Sequence, residues 1–174
     1  VLDADEVSRK ILDLGKPGYR QVKELFGPEI LGPQGQIDRL ALAELVFQNQ
    51  DLRRRLEKIT PPLIRAEIDE FIQAHRQKNC PAVAIEAAMI IENQRKNFYS
   101  LLVVVGASQK EQIRRLQKRN GLSLEKAQDR INAQMPLAEK QKVADYYIDN
   151  SSSLEKTKKD TETILSAIKK LYKT

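Results

Sequence analysis

Leu101-Leu102-Val103-Val104-Val105 is an unbroken apolar run of strand length, without the polar alternation of a sheet that faces water on one side. Such a run predicts a strand covered on both faces, and covered strands belong to parallel sheets with helices packed against them. The flanking segments agree. Pro81 to Met89 reads as a second buried strand, ending near Glu86, and Tyr146-Tyr147-Ile148 as a short third one. Between the last two, Ser108-Gln109-Lys110-Glu111 is a capping box that opens a helix carrying Ile113 and Leu116. Gly121 interrupts, Ser123 is placed to cap a helix through Leu124, Ala127 and Ile131, and Pro136 starts another short one. Ser151 to Ser153 lead into a final helix with Leu154, Ile164, Leu165, Ile168 and Leu171. Apolar strands alternating with helices specify an α/β fold with a parallel sheet.

The first half of the chain is helical by its spacing. Val1-Leu2 enters Asp3-Ala4-Asp5 like the end of a strand, and Val7, Ile11 and Leu12 then share a helix face that stops at Gly15-Lys16-Pro17-Gly18. Val22, Leu25 and Phe26 mark a second helix, closed by Gly27-Pro28, and Gly32-Pro33-Gln34-Gly35 is a turn by composition. Leu40, Leu42, Leu45, Val46 and Phe47 give another apolar helical face. From Asp51, Leu52, Leu56, Ile59 and Leu63 repeat at helical spacing, and Ile64, Ile68, Phe71 and Ile72 continue it to about Arg76. Pro61-Pro62 is expected to kink or break that helix, since neither proline donates a backbone hydrogen bond. The helices between residues 15 and 76 read as an insertion between two strands of the sheet.

Composition removes several classes of chemistry. Cys80 and His75 are the only cysteine and histidine, so an intrachain disulfide and His/Cys metal clusters are excluded. His75 lies in a polar stretch that reads as an exposed helix end. No apolar run approaches the roughly 18 residues of a membrane span, and no signal peptide is visible, so a cytoplasmic protein is expected. The net charge of +6 suits nucleic acid, an acidic membrane surface or a phosphorylated small molecule. With five Tyr, four Phe and no Trp, stacking platforms for single strands are sparse, and nucleic acid is not the expected partner.

Four constellations could carry chemistry. Asp3-Ala4-Asp5, followed by Ser8-Arg9, lies at the carboxyl end of a strand, where ligands of open α/β sheets sit. A carboxylate there can orient or deprotonate an attacking hydroxyl, or it can simply cap the following helix. Lys110, Arg114, Arg115, Lys118 and Arg119 crowd one helix against a single Glu111, with Arg130 on the next. Arginine matches phosphate oxygens with paired hydrogen bonds, and the alternative is a solvated face. Arg53-Arg54-Arg55 reads as surface, because its helix buries Leu52 and Leu56. Glu86, an acid at the end of an apolar strand, is of the kind that holds magnesium through water in nucleotide-binding folds.

In this order the pieces resemble the dephospho-CoA kinase family over essentially all 174 residues. Asp3-Ala4-Asp5-Glu6-Val7-Ser8-Arg9 is similar to its Asp-Ala-Asp…Ala/Ser-Arg segment. Phe26-Gly27, Ile30-Leu31, Gly35, Asp38-Arg39 and Leu45-Val46-Phe47 follow in family order. Ile90-Ile91-Glu92-Asn93 resembles its Leu-Leu-hydrophobic-Glu-Asn/Ser stretch. Arg119-Asn120-Gly121-Leu122-Ser123 and Arg130-Ile131-Asn132-Ala133-Gln134-Met135-Pro136 resemble its lid, and Ala144-Asp145-Tyr146-Tyr147-Ile148-Asp149-Asn150-Ser151 its Ala-Asp…Ile-Asp-Asn-Ser. Three positions depart: Pro61-Pro62 where the family has His-Pro, Ala88-Met89-Ile90 for Pro-Leu-Leu, and Asn120 for Asp.

The resemblance implies a P-loop kinase-like parallel sheet flanked by helices, with an inserted helical substrate region and a helical lid. The core would comprise residues 1–14 and 77–174, with the lid over residues 108–140, and residues 15–76 would grip dephospho-CoA. The implied reaction moves the γ-phosphoryl group of ATP to the ribose 3′-hydroxyl of dephospho-CoA, with Mg2+, as the last step of coenzyme A synthesis. Asp5 would be catalytic. Asp3, Arg9 and Arg65 would bind the acceptor, Arg115, Arg119 and Arg130 the nucleotide from the lid, and Glu86 the metal through water. Other P-loop kinases of nucleosides or nucleotides, and a non-catalytic basic module for nucleic acid or a partner protein, are the alternative readings. The family begins about 30 residues earlier, with a strand, a Gly-rich phosphate loop ending in Lys-Ser/Thr, and a helix. No Gly-x-x-x-x-Gly-Lys-Ser/Thr occurs here. The chain is therefore expected to be a fragment, or numbered from after that segment. A molecule that truly started at Val1 would leave a central sheet position empty and is expected to fold poorly and not to catalyse.

Overall fold

The computed structural model describes residues 1–92 and 96–172, which form two compact units, Val1–Ala88 and Met89–Thr174. The first unit joins two short parallel strands through a helical crossover. Strand β1 (Leu2–Asp3) pairs with β2 (Ile85–Glu86) in the register Leu2↔Ile85, Asp3↔Glu86. Between them come α1 (Ala4–Lys10), α2 (Pro17–Phe26), a 3-10 turn at Pro28–Ile30, α3 (Arg39–Gln48) and α4 (Gln50–Gln77). Local chemistry starts each helix. The carboxylate of Asp38 accepts from the N–H groups of Leu40 and Ala41, and the Asn49 amide oxygen from those of Asp51 and Leu52. Pro17 occupies the first turn of α2, where its missing N–H costs nothing, and Gly27 at φ 79° closes that helix.

Helix α4 is the post around which this unit packs, touching α1, α2 and α3. Leu52, Leu56, Ile59, Leu63 and Ile64 meet a core of Val7, Ile11, Leu12, Tyr19, Val22, Phe26, Ile30, Ile37 and Leu42. Val22 and Ile30 are sealed completely (0% exposed), and full burial of such side chains contributes about 1.5–3 kcal/mol each. Three expectations need correction here. Helix α4 runs through Pro61-Pro62, so of the kink or break expected there the break does not occur. The prolines leave the carbonyls of Glu57 and Lys58 without helical donors, but both residues are exposed and water can serve them. The face drawn from α3 is also too broad. Leu42 is buried, whereas Leu40 and Phe47 are 78% and 91% exposed, since they lie off the side that meets α4. Lastly, the apolar stretch Pro81–Met89 pairs only at Ile85–Glu86, and its residues are half-buried or exposed rather than sealed.

The second unit repeats the parallel pairing. β3 (Val103–Gly106) lies beside β4 (Tyr146–Asp149) in the register Val103↔Tyr146 through Gly106↔Asp149. Helices α5 (Gln109–Asn120), α6 (Leu124–Asn132) and α7 (Leu137–Val143) make the crossover, and α8 (Leu154–Leu171) follows β4. Ser108, Ser123 and Ser153 cap α5, α6 and α8 through the N–H groups of Glu111, Lys126 and Lys156. Gly121 ends α5 in the left-handed region at φ 64°, where a Cβ is disfavoured. The run that predicted full coverage is one-sided in this unit: Leu102 and Val104 are buried, but Val105 is 57% exposed. All strand pairs described are parallel and all crossovers helical, as an α/β fold requires.

Candidate active site: an acidic strand edge and a basic helix pair

In the first unit the pairing Asp3↔Glu86 sets two acids side by side at the carboxyl ends of β1 and β2. Asp3 Oδ1 caps α1, accepting from Asp5 N–H at 2.8 Å and Glu6 N–H at 3.1 Å. That cap brings Asp5 and Arg9 onto one stripe of α1, one turn apart, with Glu6 and Lys10 on the next. The two couples behave differently. Glu6 and Lys10 close to an ion pair of 2.7 Å, whereas Asp5 and Arg9 stay exposed, and neither side chain takes a hydrogen bond or ion pair among the described residues. The Arg9 backbone carbonyl accepts from Arg39 Nη2, which ties α1 to the start of α3. An uncommitted carboxylate and guanidinium, fixed to a capped helix at a strand end, can receive a hydroxyl proton and hold an anion.

Arg65 lies on α4 and donates through Nε to both oxygens of Asp69 at 2.9 Å. Glu86 is exposed. Among the described residues no three His, Cys, Asp or Glu side chains gather into a metal cage. A magnesium ion needs no such cage, since it keeps most of its waters and uses one or two carboxylates besides substrate phosphates. The exposed Glu86 next to Asp3 fits that mode. His75 is half-buried rather than exposed: Nδ1 sits 2.8 Å from the Phe71 carbonyl, and its ring stacks obliquely on Phe71. It is fastened within its helix.

In the second unit the basic residues fall into two sets. Glu111, expected to complete the capping box by reaching back to Ser108, instead binds Arg114 through two hydrogen bonds of 2.8 and 2.7 Å and Arg115 through one of 2.7 Å. The Ser108 N–H goes to Ser151 Oγ at 2.7 Å. Hydrogen bonds from Arg114 and then Arg115 hold the Glu111 carboxyl at a pKa of about 2, far below its ordinary 4.5. Arg115 Nη2 also donates to the Asn150 carbonyl at 2.7 Å, so this guanidinium stitches α5 to the turn after β4. Asn150 N–H to the Gly106 carbonyl (2.7 Å) and Ser151 N–H to Asp149 Oδ1 (2.9 Å) complete the stitch. Arg119 engages only its neighbour Asn120, at 3.0 Å, and Arg130 is exposed without a partner among the described residues. An open groove of about 460 Å³ between α5 and α6 is lined by Lys110, Arg114 and several glutamines.

Sequence reasoning missed one feature. Glu92 and Lys140, which no motif pairs, form a largely enclosed ion pair of 2.6 Å. An acid directly after the apolar Met89-Ile90-Ile91 was the available signal, because an acid carried inward must find a cation.

Comparison with known proteins gives this geometry its context. The family model described as dephospho-CoA kinase matches residues 1–156. The dephospho-CoA kinases of Bacillus cereus and Trichormus variabilis are 36% and 39% identical over 165 and 166 residues, 95% of this chain and 82% and 83% of theirs. Among solved structures, TT1252 from Thermus thermophilus superposes with a TM-score of 0.79 at 30% identity, covering 95% of this chain and 83% of that one. Dephospho-CoA kinase from Campylobacter jejuni gives 0.70 at 29% identity, covering 97% and 84%. With the motif order, the parallel pairs and these likenesses in agreement, the chain belongs to the dephospho-CoA kinase family.

Proposed function

We propose that the protein works in the cytoplasm and transfers the γ-phosphoryl group of ATP to the ribose 3′-hydroxyl of dephospho-CoA, producing coenzyme A and ADP. A P–O bond forms at the 3′-oxygen, the bond between the β–γ bridging oxygen and the γ-phosphorus breaks, and the hydroxyl proton leaves to a carboxylate. Asp5 takes that proton or orients the hydroxyl, and the single observation carrying this role is its unpaired state beside the equally unpaired Arg9. Arg9 holds the acceptor near Asp5. Asp3 fixes the start of α1 through Oδ1, leaving Oδ2 for the substrate, while Arg65 binds the acceptor from the helical region of residues 15–76. Arg119 and Arg130 face the donor phosphates, and Arg115 serves them chiefly by holding the β4–α8 turn. Glu86 would hold magnesium through water, and that ion, when bound, supplies neutralisation of charge on the phosphate oxygens. The transition state is loose, so positioning and charge dominate over covalent help from the protein.

Asp5→Asn is the direct test. Turnover should fall by about a hundredfold or more, while ATP affinity stays near that of the wild type, because general base catalysis is lost and nucleotide binding is not. Unchanged turnover would remove Asp5 from the mechanism. A panel of dephospho-CoA against nucleoside monophosphates checks the acceptor in the same assay.

A further inference from the structure

The Glu92–Lys140 pair differs from the ion pairs of α1, α4 and α8, which lie in water where such contacts contribute little. Both of its side chains are only 14% exposed, and both carboxylate oxygens are closed off from solvent. Removing two charges from water costs about as much as their attraction returns, so a buried pair is a poor stabiliser. Its better-attested use is to select one arrangement among several.

The neighbours show what is being selected. Lys140 belongs to α7, and its ammonium also reaches Gln134 Oε1, at 3.5 Å, in the turn that follows α6. Burial pushes the Glu92 carboxyl up, but Lys140 and the N–H groups of Glu92 and Met135 together bring it below its usual value. Glu92 is therefore ionised at neutral pH. Lys140 thus joins Glu92 to α7 and reaches the turn before that helix, and the last turn of α6 just ahead of the turn carries Arg130.

We propose that Glu92 and Lys140 are positioning residues that pin the α6–α7 corner and so set where Arg130 meets the phosphates of the donor nucleotide. This rests on the kinase reading above, so the test includes readouts that do not need catalysis. In full-length protein, Glu92→Gln should weaken ATP binding by about tenfold or more while the KM for dephospho-CoA changes less than about twofold. In an Arg130→Met background the same substitution should add almost nothing, because it acts through Arg130. Losses that multiply, or normal ATP affinity in a folded Glu92→Gln protein, would overturn the pin. Should Glu92→Gln fail to fold, Lys140→Gln carries the same measurements. Amide exchange over residues 131–143, read without substrate, should quicken by about tenfold or more in either variant. Unchanged protection there overturns the proposal. A wild type that binds ATP but ignores dephospho-CoA would refute the kinase reading, and the ATP titrations would still decide the pin.

Discussion

Gly18 has no room for a side chain: a Cβ there would collide with the Ile11 carbonyl oxygen and stand 3.1 Å from Leu63 Cδ1. The close approach lets the first turn of α2 rest on the end of α1 and on α4. Gly18→Ala should therefore destabilise the protein by about 2 kcal/mol, read as a lower urea midpoint, even though alanine is the better helix former. A gain in stability would show that the contact yields. The residue scale is also where the sequence was least able to choose among like residues. Asp3 and Asp5 are both candidates by position, but the helix geometry makes Asp3 the cap and leaves Asp5 open. Arg115 and Arg130 are both lid cations by motif, yet Asn150, distant along the chain, occupies the first and nothing described occupies the second.

At the scale of elements, serine and aspartate caps, Pro17 in its first turn and glycine at the left-handed ends were all legible, since each acts on neighbours a few positions away. Helix α4 shows the limit of such local rules. Its two prolines argue for an interruption, but packing of Leu52, Leu56, Ile59, Leu63 and Ile64 on one core outweighs the hydrogen bonds they remove. Pro62 is exposed, so Pro62→Ala would restore a helical N–H without disturbing the core. We expect about 2 kcal/mol of added stability: an interior proline costs roughly 3 kcal/mol against alanine, offset in part by the freer unfolded chain. A lower urea midpoint would mean that the proline shapes the helix in a way its neighbours depend on.

For the whole molecule, burial is uneven. The first unit gathers Val7, Ile11, Leu12, Tyr19, Val22, Phe26, Ile30, Ile37 and Leu42 into one core, whereas α5, α7 and α8 bury no residue fully. Local opening follows such differences. Amides in α2 and the middle of α4 should exchange at least about tenfold more slowly than those of α7 and α8, measured by hydrogen exchange in native buffer. Equal protection across both units would contradict this. The same unevenness explains why the apolar run at Leu101–Val105 misled about coverage, since composition shows that a segment is apolar but not what lies against each face. What the amino-acid order determined alone was the set of elements, their α/β alternation and the family, because caps, periodicity and ordered motifs act locally or by simple succession. Tertiary structure alone decided which acid is free, which arginine is already engaged, how short β2 is and which lysine answers Glu92. Those outcomes depend on groups brought together across dozens of residues by chain closure, and no local pattern encodes a partner at that distance.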